Sequence, residues 1–168
     1  EIRRYTYVMG ACITKQKKAE EHDVLNFTNL NIQWKDTIPF VAPVKDAICI
    51  KVYDGDTITV ASKMPWDESP LYRFSVRLNG IDTPEIKCKS ESEKRIAVKA
   101  RDALQEQILG KVVTLKNVTT EKYGRLLADV HYGGTHFNKW MIDKRFAVAY
   151  DGGTKQSPDN WEDFHNGK

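Results

Sequence analysis

The sequence predicts an α+β domain: a five-stranded β-barrel with about three helices packed on it. Two observations carry this. Five separate short segments alternate apolar with polar residues, the period of half-buried strands, and one longer segment between the third and fourth repeats its apolar residues at helical spacing. The chain's 168 residues, 40% of them hydrophobic, suffice for one core and a modest extension.

Residues 1–44 read as an N-terminal extension, partly disordered, and 45–168 as the barrel domain. In residues 1–20, Arg3, Arg4, Lys15, Lys17 and Lys18 against Glu1 and Glu20 supply the whole net charge of +3. The remainder is neutral overall, so bulk charge does not argue for a nucleic-acid partner; a local cluster must. "TIPFVAP", punctuated by Pro39 and Pro43, ends the extension.

The first strand is expected near Asp46, with Ile48, Ile50 and Val52 on one face and Cys49, Lys51 and Tyr53 on the other. Asp54-Gly55 is a hairpin signal leading into a second strand, where Ile58 and Val60 alternate with Thr57 and Thr59. After the loop "ASKMPWDESPL", Tyr72, Phe74, Val76 and Leu78 alternate with Arg73, Ser75, Arg77 and Asn79, which points Arg77 away from the apolar side. "GIDTPEIKCKS" is a Gly- and Pro-marked turn. Ser90 with Glu93 then forms a capping box, Ile96, Ala100, Ala103, Leu104 and Ile108 line one helical face, and Gly110 closes the helix. Strands "KVVTLKNVT" and "LLADVHY" are joined by "TEKYGR". A second helix runs through "THFNKWMIDKR" with Phe137, Met141 and Ile142 inward, and Ser157-Pro158 begins a short third one anchored by Trp161 and Phe164. Five strands with a helix between the third and fourth suggest a barrel of the OB type.

No apolar run approaches the roughly 20 residues that span a bilayer, and "EIRRYTYVMGACITKQKK" lacks the apolar stretch of a secretory signal, so a soluble chain is expected. Cys12, Cys49 and Cys88 are odd in number and widely spaced, which excludes a fully paired disulfide framework and offers no zinc spacing.

Asp54-Gly55, "DTP" and "KYGR" each have an ordinary explanation as turns. Together they place Asp56, Asp82 and Glu85 beside adjacent strands in a chain with no His or Cys cluster. Gathered carboxylates repel unless a cation or protons neutralise them, and hard oxygen donors suit calcium or magnesium. Arg77 and Arg125 border the same segments, and guanidinium forks match phosphate oxygens.

"YDGDT", "RLNGIDTPE" and "EKYGR", in that order across residues 46–151, resemble the staphylococcal (micrococcal) nuclease, or thermonuclease, family. The resemblance implies that Asp56 and Asp82 bind Ca2+ through their carboxylates and Thr83 through its backbone carbonyl, with Asp54 standing behind Asp56. It implies that Arg77 and Arg125 grip the scissile phosphate and that Glu85 positions or deprotonates the attacking water. Lys122 and Tyr123 match positions that contact the terminal phosphate of a bound nucleotide, and Tyr150 matches a nucleotide-stacking tyrosine. The implied activity is calcium-dependent endonucleolytic hydrolysis of DNA and RNA at the P–O5′ bond, leaving 3′-phosphate ends, with single-stranded or frayed substrate preferred and a monomeric enzyme. On that reading Arg77→Ala, Arg125→Ala and Glu85→Ala each lower kcat at least about 10²-fold with folding nearly unchanged. The rival is a catalytically inactive binding module for nucleic acid or protein, as in Tudor-staphylococcal nuclease proteins; it predicts erosion of the acidic and arginine set, and all five residues are present here. The loop "KMPWDESPL" and the segment "IKCKSESEK" depart from the family pattern, so substrate preference is the property they bear on.

"MGACIT", residues 9–14, fits an N-myristoylation pattern with Cys12 as a palmitoyl site, but Gly10 is internal and only initiation at Met9 would expose it for membrane anchoring. The simpler reading is a disordered basic tail. His131 and His136 are expected as a strand-surface and a helix-start residue, and Trp34, Trp140 and Trp161 as packing anchors.

Overall fold

The structure, a computed structural model, describes residues 31–121 and 123–168. Met9, Gly10, Cys12 and the basic cluster of the N-terminal segment lie outside the described residues. The chain divides into two units, Glu1–Ile38 and Pro39–Lys168. In the first, Trp34–Asp36 form a 3-10 turn whose Asp36 carboxylate accepts from the Gln33 amide at 3.0 Å. Trp34 is 91% exposed and is not the packing anchor its size suggests.

The second unit takes in residues 39–44, which the sequence assigns to the extension, because Ala42 and Val44 are buried in its core. It contains β1 (Asp46–Val52), β2 (Thr57–Ser62), β3 (Tyr72–Leu78), β4 (Ile81–Asp82), α1 (Glu91–Ile108), β5 (Val112–Thr120), β6 (Leu126–Tyr132), β7 (Thr135–His136), α2 (Phe137–Asp143), β8 (Val148–Ala149) and α3 (Trp161–Asn166). The sheet order is β3-β2-β1-β5-β6-β7, and a parallel β3–β6 pairing, Val76 to Leu126 through Leu78 to Ala128, closes the five long strands into a barrel. This is the expected OB-type α+β architecture. Closure leaves β3 without a free edge.

Side chains from every barrel strand fill the interior: Cys49, Ile58, Val60, Val76, Leu78, Val113, Leu115, Ala128 and Val130 are buried. In β1 the observed face differs from the alternation read from the sequence. The register against β2 shifts between Cys49 and Lys51, so Ala47 and Cys49 point inward before the bulge and Val52 after it, while Ile48 and Ile50 are 38% and 45% exposed. One extra residue in a strand reverses which side chains meet the core.

Helix α1 buries Ile96, Ala97, Ala100, Leu104 and Ile108, the last three in the barrel's core, each of the larger side chains contributing ~1.5–3 kcal/mol by leaving water. Ser90 Oγ caps it by accepting from the Glu93 amide at 3.3 Å. Glu93 does not return the bond: its Oε1 accepts from the Glu85 amide at 3.4 Å, tying the Glu85 loop to the helix. Helix α2 packs on β6 through Phe137 and Met141. Helix α3 is capped by Asn160, whose Oδ1 accepts from the Glu162 and Asp163 amides, three residues later than the Ser157-Pro158 start read from the sequence. Trp161 is buried and Trp140 packs against the core. Cys49 and Cys88 are unbridged, and burial pushes the Cys49 thiol up to about 11. Among the described residues no helix is long and apolar enough to cross a membrane.

Candidate active site

Three chain segments meet at one end of the barrel. The β1–β2 hairpin delivers Asp56: the Tyr53 amide donates to Thr57 O at 2.8 Å, and Asp54 Oδ1 accepts from the Asp56 amide at 3.3 Å. Gly55 is closely approached. A Cβ there would lie 3.0 Å from Thr83 Cγ2 and 3.1 Å from Ala100 Cβ, so a side chain would fit only if the loop and helix that complete the site gave way by a few tenths of an ångström.

Strand β3 delivers Arg77, which sits opposite Thr57 in the β2–β3 register, with the Leu78 amide donating to Asp56 O at 2.8 Å. The tight turn at Asn79-Gly80 then returns the chain so that β4 carries Asp82. Two devices hold this turn. Buried Asn138 donates to Asn79 O and Ala128 O while its Oδ1 accepts from the Val130 amide. Strand β4 pairs with β8, and the Tyr150 amide donates to Gly80 O at 2.9 Å, which links the Asp82 segment to Tyr150.

The charges form an alternating row. Arg77 Nη1 lies 2.6 Å from Asp56 Oδ2, and Nη2 lies 3.1 Å from Asp82 Oδ1 and donates to Ile81 O at 3.3 Å. Lys155 Nζ lies 2.9 Å from Asp82 Oδ1 and 3.4 Å from Glu85 Oε1. Asp56 and Asp82 are each 3% exposed and Thr83 is buried beside them, whereas Glu85 is exposed. Thus Arg77 serves the fold as well as any ligand, which revises the expectation that its loss leaves folding nearly unchanged.

Burial pushes the Asp56 carboxyl up to about 7; the Arg77 guanidinium opposes this, Asp54 adds to it, and Thr57 Oγ1, donating at 2.9 Å, opposes it. Arg125, in the β5–β6 turn, pairs through Nε with Glu121 Oε1; that bond raises its pKa against the effect of burial, and the charges of Glu121, Asp56 and Asp54 raise it further. Arg125 is therefore within electrostatic reach of the acids although its guanidinium faces Glu121. For Lys155, burial acts downward, and the hydrogen bond and charge of Asp82, followed by Glu85, lift it above an ordinary lysine.

Among the described residues no group of three His, Cys, Asp or Glu side chains is arranged to hold a metal ion, because Arg77 and Lys155 stand between the carboxylates. The donor set nevertheless fits a hard cation. Burial holds the Asp56 carboxyl up at about 7 even with Arg77 beside it, so a further cation there would favour its ionised form, and the exposed ammonium of Lys155 bridges Asp82 and Glu85 as a bound cation would.

Tyr150 donates through its hydroxyl to Gly153 O at 3.1 Å and, with Arg77, Glu121 and Leu127, lines a cavity of about 440 Å³. Tyr123 is 75% exposed on the β5–β6 turn, and Lys122 lies outside the described residues. The structure thus brings Asp54, Asp56, Arg77, Asp82, Thr83 and Glu85 together, puts Arg125 at their margin, and places Tyr150 across a cavity that includes Arg77. Lys155 and Asn138 escaped the sequence reading, and Glu93 was read only as a helix cap. A polar residue on the apolar face of α2 was a signal for Asn138, whereas nothing local marks Lys155.

A small closed barrel with an acid–arginine cluster at one end defines the class. Residues 75–165, over half of the chain, match the family described as Staphylococcal nuclease homologue, and the chain belongs to that family. It is 34% identical over 82 residues to the staphylococcal-like nuclease CAN1 of Arabidopsis thaliana, covering 47% of this chain and 24% of that protein. A probable endonuclease of Schizosaccharomyces pombe is 33% identical over 99 residues, 54% of this chain and 43% of that one. An uncharacterized protein of Bacillus anthracis is 27% identical over 163 residues, covering 88% and 73%. The match therefore spans less than half of each of the two named nucleases.

Proposed function

We propose that the protein is a calcium-dependent endonuclease that hydrolyses phosphodiester bonds of DNA and RNA at the P–O5′ bond, leaving 3′-phosphate ends, with single-stranded or frayed substrate preferred. The observation that carries this reading is the row Asp56–Arg77–Asp82–Lys155–Glu85, set beside a cavity that Arg77 also lines. Buried, fixed charge aimed at an open cleft suits a reaction whose transition state gathers charge on phosphate oxygens.

Asp56, Asp82 and the Thr83 carbonyl would hold calcium, which when bound supplies polarisation of the phosphate and neutralisation of its charge. Arg77 is oriented by the two carboxylates and so pays little reorganisation when it engages the phosphate. Arg125 would leave Glu121 to grip the same group. Glu85, exposed and held through its amide by Glu93, would take a proton from water attacking in line. Tyr150 would stack on the nucleoside at one side of the phosphate, and Lys122 and Tyr123 would meet a neighbouring phosphate.

The test is cleavage of end-labelled single-stranded DNA and RNA with millimolar calcium and with chelator, followed by analysis of product ends. Calcium-dependent internal cuts bearing 3′-phosphates are expected. Binding without cleavage at any divalent ion would instead favour the docking-module reading.

A further inference from the structure

A second cavity, of about 420 Å³, borders the acidic cluster, and it shares no lining residue with the Tyr150 cavity. Asp54 and Glu85 form part of its wall; Arg77 and Glu121 form part of the other's. The proposed reaction centre therefore borders two separate cavities. A phosphodiester cut inside a strand has a nucleotide on each side, and both need room.

The remaining walls of this second cavity suit an anionic, aromatic ligand. Tyr53, half exposed, offers a ring face, and Lys51 rests its ammonium 5.5 Å from that ring's centroid. Lys87 and Arg101 face the same space from the loop after Glu85 and from α1. Arg101 is engaged with Asp102 at 2.7 Å, whereas neither Lys51 nor Lys87 makes an ion pair among the described residues. Its volume is in the range of a nucleotide-sized ligand.

We infer that this cleft binds the nucleotide on the far side of the scissile phosphate from Tyr150, with its base on Tyr53 and its next phosphate on Lys51 and Lys87. The inference rests on the nuclease reading for its place in the reaction, but its binding chemistry stands separately. An aromatic face with flanking cations is the arrangement by which proteins hold single strands without reading sequence.

The experiment measures binding of a fluorescently labelled single-stranded DNA hexanucleotide in chelator, where no cleavage occurs, to wild type, Lys51→Ala/Lys87→Ala, Tyr53→Ala, and the remote control Lys139→Ala/Lys144→Ala. The cleft variants are expected to raise Kd about tenfold. The lysine double variant is also expected to flatten the slope of log Kd against log salt by ~0.7, the value for one phosphate neutralised on a single strand. Cleft variants that match the remote control in both Kd and salt slope would overturn the inference, whether or not the wild type cleaves. Weakened binding with a protein that never cuts DNA would uphold the cleft and reject the catalytic reading instead.

Discussion

Replacing Arg77 by alanine removes one positive charge shared by two carboxylates that are each 3% exposed. Deleting one partner of a buried ion pair costs ~3–5 kcal/mol, because the other charge stays behind. Two features hold the loss to the low end. Asp82 keeps Lys155 at 2.9 Å, and Asp56, already pushed up to about 7 by burial with Arg77 present, takes a proton when Arg77 is gone. A loss of ~3 kcal/mol at neutral pH is expected. Its pH dependence has a definite sign. A carboxyl raised in the folded state contributes stability that is complete below its unfolded value near ~4 and is lost as pH rises through the folded value. The variant should therefore be more destabilised at about pH 8.5 than at about pH 6, and adding Asp56→Asn should restore much of the difference. Urea unfolding followed by fluorescence of Trp140 and Trp161 measures this. An Arg77→Ala protein within ~0.5 kcal/mol of wild type at both pH values would refute the premise that this guanidinium neutralises the buried acids.

Glu85→Gln and Arg125→Ala should each lower kcat for calcium-dependent DNA cleavage at least about 10²-fold, with stability changed by less than about 1 kcal/mol, since both residues reach solvent; wild-type turnover in either would remove it from the chemistry. Gly55→Ala drives a methyl to 3.0 Å from Thr83 and 3.1 Å from Ala100 and should cost ~1–3 kcal/mol, read as a lowered thermal midpoint, and an unchanged midpoint would show that the hairpin yields freely. Lys155→Met frees Glu85 of its internal cation and leaves Asp82 only Arg77, so calorimetric titration should show calcium bound about tenfold more tightly, ~1.4 kcal/mol; equal or weaker binding would show that the ammonium and the ion do not compete.

Strand positions, the long helix and the three motifs were legible because each rests on local rules: period-two alternation, a Ser90 cap, an Asp-Gly turn. The β1 face was not, because the bulge between Cys49 and Lys51 is set by pairing with β2, a partner the local pattern does not contain. Trp34 misled for a related reason. A large apolar side chain predicts burial on average, and its actual exposure depends on what surrounds it. In the site, the acids and Arg77 could be placed by motif, but their mutual neutralisation could not. Lys155 reaches Asp82 from 73 positions away along the chain, on a loop whose composition is ordinary. Glu93 was read as half of a capping box, yet its carboxylate serves the Glu85 amide, a choice decided by the proximity of two segments in space.

Parallel pairing of β3 with β6 gives the cluster two mechanical halves. Arg77 rides on a strand bonded along both sides, so its amide should exchange with deuterium only when the whole barrel opens. Glu85 hangs from two contacts of 3.4 Å, its amide to Glu93 and its exposed carboxylate to Lys155, and Lys155 itself lies in a segment outside any helix or strand. One jaw of the cleft is thus anvil-like and the other hinged, and entry of a polymer would be governed by the hinged side while the anvil keeps its aim.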